Sequence, residues 1–344
     1  MTPVPLGDKT IGANEPVYII AEIGGNFQNL DDGRRLVDLA ADAGCDAVKL
    51  QTFRAETITS KIAMFEMENT GVMSQYDHFS KYELDLESHA AMFAYAEEKG
   101  LFAFSTPSHQ TDVDALEEIG VGAHKIGSDD AVNIPLLKHV ARTGKPVLLS
   151  TGMCTISEAE RALDAILEEG NDNVALFHCT TNYPCPPESV NLAAMLTMQR
   201  HFEVPVGYSD HTLGIDTCYA AAVLGARVLE FHFTHDKTAD GPDHMLSKEP
   251  GETRALVEKV RALPTLMGDG VKRPMPTEMN TRRNNRKSLV LTADVTEGDK
   301  ITPTNVDIKR PGYGISCEHY FNVLGKTASR DLKADEPLMW EDVL

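Results

Sequence analysis

Eight short apolar runs along the first three-quarters of the chain constrain its fold more than any other feature. They occupy residues 17–23, 47–52, 101–105, 123–127, 146–151, 174–180, 205–211 and 228–234. Each is apolar nearly throughout rather than alternating, as in strands buried on both faces. Amphipathic stretches at 30–43, 84–99, 111–119, 157–169 and 216–224 separate them, and one at 253–266 closes the series. Alternating strands and helices imply a parallel sheet. Eight such units in about 265 residues match a (β/α)₈ barrel. The competing arrangement is an open doubly wound sheet. The segment 53–82, rich in Met and aromatics, reads as an ordinary packed loop rather than a lid. Residues 267–286, mixing Gly, Pro, Asn and Arg, read as a linker. Residues 287–344, with short β-like runs and a Glu297-Gly298-Asp299 turn, form a second small domain.

A barrel places its active site at the C-terminal ends of its strands, and here those ends are unusually polar. In order they carry Glu22; Lys49 and Gln51; Ser105 and Thr106; Lys125 and Ser128; Ser150 and Thr151. His178, Thr180 and Thr181 follow, then Ser209, Asp210 and His211, and last Glu230 and His232. Two lysines among hydroxyls suit a small anion carrying phosphate and carboxylate. Each lysine alone is equally well explained by an ion pair with Glu22 or Asp210; the two together point to a ligand. The chain has 32 basic and 52 acidic residues, a net charge of −20. That balance argues against nucleic acid and anionic membranes as partners, so cations must be gathered where a substrate anion sits.

His211 and His232 lie on neighbouring strands and can hold a divalent transition ion with positions left open. Asp210 and Glu230 are expected to orient the two rings from behind. A single histidine would more readily be a hydrogen-bonded core residue, which is how His178 reads. Gly24-Gly25 lacks the third glycine of a dinucleotide loop. Six scattered cysteines without CxxC pairs read as reduced thiols. No apolar run reaches membrane-spanning length, and the N-terminus lacks the features of a secretory signal, so a cytoplasmic protein is expected.

The same residues resemble the sialic acid synthase family. The resemblance rests on Ala21-Glu22-Ile23-Gly24, Lys49-Leu50-Gln51-Thr52, Ser105-Thr106-Pro107, Lys125-Ile126-Gly127-Ser128 and Leu149-Ser150-Thr151-Gly152-Met153. His178-Cys179-Thr180 with Tyr183-Pro184, Gly207-Tyr208-Ser209-Asp210-His211-Thr212, His232-Phe233-Thr234, Gly241-Pro242-Asp243 and Lys309-Arg310-Pro311-Gly312 continue it in order. It implies a barrel followed by a C-terminal antifreeze-like (SAF) domain, and a domain-swapped homodimer. In that homodimer Arg310 would reach the neighbouring subunit's sugar. By the same resemblance Lys49, Thr106, Lys125, Ser128, Ser150 and Ser209 hold phosphoenolpyruvate, and Gln51, Asp130 and Thr181 join Arg310 on the sugar. His211 and His232 hold Mn²⁺ or Mg²⁺, and Glu22, Tyr183 and Asp243 take catalytic positions. The reaction implied is condensation of phosphoenolpyruvate with an acetamido-aldose, giving a nine-carbon 2-keto-3-deoxy acid of neuraminic, legionaminic or pseudaminic type. The alternatives are a pyruvate-using metal-dependent aldolase and a catalytically silent carbohydrate-binding homologue. The chain departs from the family pattern at Phe27, Gln28, Asp130, Thr181 and Phe231. The phosphoenolpyruvate and metal positions are intact, so the departures bear on the sugar.

Overall fold

The computed structural model describes residues 2–67 and 71–344. Met1 of the N-terminal stretch and residues 68–70 of the 53–82 segment lie outside the described residues. The chain forms two compact units, one running to Met267 and one spanning Gly268–Leu344.

In the first unit eight parallel strands close a barrel: β3 (Tyr18–Glu22), β4 (Ala47–Thr52), β7 (Phe102–Pro107), β8 (His124–Ile126), β9 (Val147–Ser150), β10 (Val174–Cys179), β11 (Val206–Asp210) and β12 (Val228–His232). The open-sheet alternative is excluded by the pairing of β12 back onto β3, where Val228 stands opposite Tyr18 and His232 opposite Glu22. Around the barrel stand α1 (Leu30–Asp42), α4 (Leu86–Glu98), α5 (Gln110–Glu118), α6 (Ile134–Ala141), α7 (Ile156–Leu167), α9 (Leu192–His201), α10 (Asp216–Val223) and α11 (Pro250–Met267). A one-turn α8 (Pro187–Val190) precedes α9. Side chains cap several helix starts: Asn29 accepts from Asp32 N, Asp85 from Ser88 N, and Thr155 and Glu158 form a reciprocal capping box, which satisfies N–H groups that a helix start leaves unpaired.

Successive strand residues face opposite ways, and this divides the core in two. Outward residues such as Ile19, Val48, Leu149 and Leu176 pack against the helices. Inward residues Ile20, Ala47, Phe104, Leu148, Ala175, Phe177 and Val228 fill the barrel's lower half. A short hairpin, β1 (Val4–Leu6) with β2 (Lys9–Ile11), inserts Val4, Leu6 and Ile11 into that same cluster and closes the barrel's N-terminal end. Periodicity does not single out these two three-residue strands.

The 53–82 segment, expected as a packed loop, carries elements of its own. They are α2 (Ala55–Ile58), the antiparallel pair β5 (Met64–Met67) and β6 (Gly71–Ser74), and α3 (Gln75–Tyr82). Gln75 stitches it together: its N–H donates to Ala63 O at 3.0 Å, Nε2 donates to Met64 O at 3.2 Å, and Oε1 accepts from Thr59 Oγ1 at 3.0 Å.

The second unit is built on β13 (Ser288–Leu291) and β14 (Val306–Lys309), an antiparallel pair, with a short α13 (Tyr320–Val323). Leu289, Leu291, Ile301, Val306, Ile315, Val323 and Leu338 form its separate core. The stretch 267–286 is not bare linker. It contains α12 (Met279–Asn285), which joins this unit because Gly312 N donates to Arg283 O at 3.0 Å and Tyr313 Oη donates to Asn284 Oδ1 at 2.6 Å.

Candidate active site

Counting every second residue from the filled lower core brings each strand to a polar inward residue at the barrel mouth. Glu22 follows Ile20, Lys49 and Gln51 follow Ala47, and Thr106 follows Phe104. Lys125 follows Ala123, Ser150 follows Leu148, Cys179 follows Phe177, Ser209 follows Gly207, and Glu230 and His232 follow Val228. All of them line one cavity of about 580 Å³ at the C-terminal end of the barrel, joined by Ser128, Thr181, Tyr183, His211 and Asp243 from the loops above. That volume suits a small-molecule site. Of the expected site residues, Asp130 does not line it: the turn at Ser128–Asp130 gives that place to Asp129, while Asp130 Oδ1 accepts from Asn133 Nδ2 at 2.8 Å. Arg310 lies in the second unit, exposed just beyond β14.

Both lysines are buried, with 4% and 3% of their surface exposed, a position lysine holds only with partners. Lys49 contacts the Glu22 carboxylate and donates to Thr106 Oγ1 at 2.8 Å. Lys125 donates to Ser150 Oγ at 2.7 Å and stands 3.6 Å from Glu230. Burial alone would depress the Lys49 ammonium, but Glu22, Glu230 and Asp243 together outweigh it and hold its pKa above the ordinary value. At Lys125 burial prevails over Glu230, and the pKa falls. Burial also pushes Glu22 up to about 7 and Asp243 up to about 6, with Lys49 opposing both.

His211 and His232 face each other with ring centroids 5.4 Å apart, and Tyr183 lies over His211 at 4.1 Å. Thr180 O, 2.8 Å from His211 Nδ1, can only accept, so Nδ1 carries a proton and Nε2 is the nitrogen left for a metal; burial lowers this imidazole's pKa, but Cys179, the Thr180 carbonyl and Asp210 outweigh it and hold the pKa above the ordinary value. Burial, reinforced by His211 and the lysines, holds His232 well below the usual imidazole range, so it is neutral. Asp243 Oδ2 stands 3.4 Å from His232 Nδ1. Two imidazoles this close, in a polar cavity, fit a divalent ion. Among the described residues no group of three or more His, Cys, Asp or Glu side chains is arranged to hold a metal, so the protein would supply two ligands and leave the remaining positions to water or substrate.

The expectation that Asp210 and Glu230 orient the two rings does not hold. Asp210 points outward from β11, where it accepts from Lys248 Nζ at 2.7 Å, Thr212 N at 3.0 Å and Tyr208 Oη at 3.1 Å. Glu230 faces Lys125. The groups behind the imidazoles are the Thr180 carbonyl and Asp243. His178 also points outward, hydrogen-bonded to Val190 O at 2.8 Å, the role first read for it. Cys179 and Asp129 line the cavity without having been singled out. Strict alternation from Phe177 identifies Cys179, whereas no sequence signal chooses Asp129 over Asp130.

The site tolerates no Cβ at Gly24. An added carbon would lie 2.5 Å from Glu22 Oε1 and 2.8 Å from Gln51 Cγ, so the bare backbone lets those two side chains meet.

Comparison with known proteins agrees with this architecture. The NeuB family profile matches residues 36–272, and the SAF domain profile matches residues 286–344. The chain is 41% identical to N,N'-diacetyllegionaminic acid synthase of Campylobacter jejuni, over 92% of this chain and 97% of that one. It is 33% identical to human N-acetylneuraminate-9-phosphate synthase, over 97% and 95%. Among solved structures it resembles N-acetylneuraminic acid synthetase from Leptospira borgpetersenii, crystallised with citrate, at a TM-score of 0.73 and 32% identity, covering 81% of this chain and 95% of that one. The chain therefore belongs to the NeuB family of sialic acid synthase-type enzymes and ends in a SAF domain.

Proposed function

We propose that this protein condenses phosphoenolpyruvate with an acetamido-aldose, giving a nine-carbon 2-keto-3-deoxy sugar acid and inorganic phosphate. The observation that carries the proposal is the convergence of the buried side chains of Lys49, Lys125, His211 and His232 in one cavity at the barrel mouth, ringed by Thr106, Ser128, Ser150 and Ser209. In the free enzyme the lysines are matched by Glu22 and Glu230. A substrate phosphate and carboxylate would replace those partners, in a setting where charge–charge contacts far exceed their surface strength. His211 and His232 would hold a divalent ion, which when bound polarises a substrate carbonyl oxygen.

C3 of phosphoenolpyruvate forms the new bond to the aldehyde carbon, whose oxygen takes up a proton to become a hydroxyl, and water adds at C2. Glu22, beside Lys49 and with its pKa raised toward neutrality, takes the proton of that water. Phosphate departs with its bridging oxygen, and the oxygen from water becomes the ketone. Gln51 and Thr181 line the remaining cavity wall and are assigned to the sugar, as is Arg310 from a second copy of the chain in a domain-swapped homodimer; Tyr183 and Asp243, beside His211 and His232, are assigned catalytic places where the sugar or water on the ion would sit.

The test is phosphate release from phosphoenolpyruvate with N-acetylmannosamine, its 6-phosphate and the 2,4-diacetamido-trideoxy hexoses, each with and without Mn²⁺ or Mg²⁺. Release that needs both an aldose and a divalent ion is expected, and EDTA should abolish it. Condensation from pyruvate without phosphate release would establish the aldolase alternative. No consumption of either donor would leave a binding protein.

A further inference from the structure

Two polar residues of the strand-end motifs, Thr52 and Ser105, take no part in the cavity and meet instead on the outside of the barrel. In register Gln51 of β4 stands opposite Thr106 of β7, and both of these side chains line the cavity. Thr52 and Ser105 therefore point the other way, and each is buried, at 8% and 0% exposed. Their hydroxyl oxygens lie 2.6 Å apart. His89 of α4 reaches them from the helix layer: Nε2 is 2.8 Å from Thr52 Oγ1, and Nδ1 is 2.9 Å from Asp85 O. The ring is wholly buried, and burial holds its pKa below the usual imidazole range, so it is neutral at neutral pH. Asp85 O can only accept, so Nδ1 carries the single proton and Nε2 accepts from the Thr52 hydroxyl. Thr52 Oγ1 in turn accepts from Ser105. Each member of the row thus has a partner, as buried polar groups require.

The row sits where it can control the shape of the cavity. β4 ends at Thr52, where the chain leaves the barrel for the 53–82 excursion. It returns at Asp85, whose Oδ1 caps α4 by accepting from Ser88 N at 2.7 Å. His89 therefore bonds both roots of the excursion at once, Thr52 on departure and Asp85 on return. Its Nε2 also abuts Gln51 O at 3.2 Å, the backbone of a residue whose side chain lines the cavity. A second tie between the roots, Ala55 N donating to Glu83 Oε1 at 2.5 Å, reaches no barrel strand. Between the roots the excursion supplies Ile58, Phe65, Phe79 and Tyr82 to the cavity wall. Phe79 packs edge-on against Phe53 at 5.0 Å between ring centroids, which carries the position of the β4 end into that wall.

We propose that His89 is a positioning residue for the acceptor side of the cavity: it holds the end of β4 and both roots of the 53–82 excursion, and so fixes Gln51 and the wall that the excursion builds. Lys49 is secured from inside the barrel by Glu22 and Thr106, so donor binding does not depend on His89. The proposal rests on the condensation reading above for its kinetic arm. Hydrogen–deuterium exchange on the free protein needs no substrate, so the two readings fail separately.

Two substitutions divide the contacts of the ring. In His89→Asn the amide still donates to Asp85 O but is too short to reach Thr52, whereas in His89→Gln the longer side chain regains Thr52. Thr52→Val removes the hydroxyl with little change of shape, and decides the matter if a His89 variant fails to fold. His89→Asn and Thr52→Val should each raise the aldose KM about tenfold, the worth of one buried hydrogen bond. The KM for phosphoenolpyruvate should stay unchanged, and His89→Gln should remain near the parent. Amide exchange in peptides covering 53–67 and 71–82 should quicken in the same two variants, while peptides from β10 and β11, across the barrel from β4 and β7, keep parental rates. Equal loss in His89→Asn and His89→Gln, or quickening spread evenly around the barrel, would mark a packing residue and overturn the proposal. Parental exchange and parental aldose KM in Thr52→Val would overturn it too. If no sugar is turned over, the condensation reading falls and the exchange pattern alone decides this one.

Discussion

At Gly152 the backbone N–H donates to Ser128 Oγ at 3.0 Å, and an added Cβ would fall 2.7 Å from that same oxygen and onto Thr181 Oγ1. Gly152 has no left-handed backbone to preserve, so a Gly152→Ala effect would come from this contact alone. Ser128 and Thr181 both face the cavity; displacing Ser128 should raise the KM for phosphoenolpyruvate about tenfold, near 1.4 kcal/mol, and displacing Thr181 should raise the KM for the aldose. Gly152→Ala/Thr181→Ala should recover part of the loss; steady-state kinetics on the pair reads this directly. Glu22→Gln keeps the shape beside Lys49 but cannot take a proton. Turnover should drop about 10²- to 10⁴-fold with phosphoenolpyruvate binding retained by calorimetry, and ordinary turnover would remove Glu22 from the chemistry. Most of these residues were legible because a barrel strand has a period of two and a fixed functional end. Asp130 and Asp210 show the limit: a one-residue shift in a 3₁₀ turn moved Asp129 into the cavity, and alternation turned Asp210 away from it.

Between elements, one buried pair ties the loop after β12 to the back of β11. Lys248 and Asp210 have side chains 2% and 0% exposed and meet at 2.7 Å, while Lys248 N donates to His232 O and Lys248 O accepts from Thr234 N. Lys248→Met would strand the Asp210 carboxylate without its cation, at a cost of about 3–5 kcal/mol. Asp210→Leu/Lys248→Met should cost less than the single change, and urea titration of both variants distinguishes charge burial from packing. On α5, Asp112 is buried with Oδ2 unpartnered, and burial raises its pKa to about 6. The folded state then holds this proton more tightly than the unfolded chain, whose carboxyl titrates near 3.8. The group thus favours folding at the lower pH and loses that contribution as pH rises from about 4 to about 6. Asp112→Asn should gain in melting temperature relative to the parent between pH 4 and 7; an equal difference at both ends refutes the assignment. The elements themselves were read from continuous hydrophobicity, which is strong for strands buried on both faces. The same signal is silent for β1 and β2, three residues each, and for the hairpin within 53–82, whose sequence lacks strict alternation.

For the whole molecule, the sequence marks a second domain by its change of character after residue 286, and the chain clusters into units divided at Met267. What a single chain does not encode legibly is its arrangement with a second copy, because a self-complementary contact leaves no periodicity in the sequence. The proposed domain swap is testable by complementation. Arg310 is exposed in the second unit and Glu22 is buried in the first. If each site combines the barrel of one copy with the SAF domain of the other, Glu22→Gln and Arg310→Ala protein are each inactive alone. In a mixed dimer, one site then carries both changes and the other carries neither. Equal amounts, unfolded together and refolded, give half mixed dimers at random, so roughly a quarter of the parental activity should return. Were Arg310 to act on its own chain's barrel, every site in every mixed dimer would retain one lesion, and no activity would return whatever the mixing ratio. A plot of recovered activity against mole fraction should therefore peak at equal mixing if the swap exists and stay flat if it does not. Size-exclusion chromatography of the refolded mixture confirms that dimers, rather than larger assemblies, carry the recovered turnover.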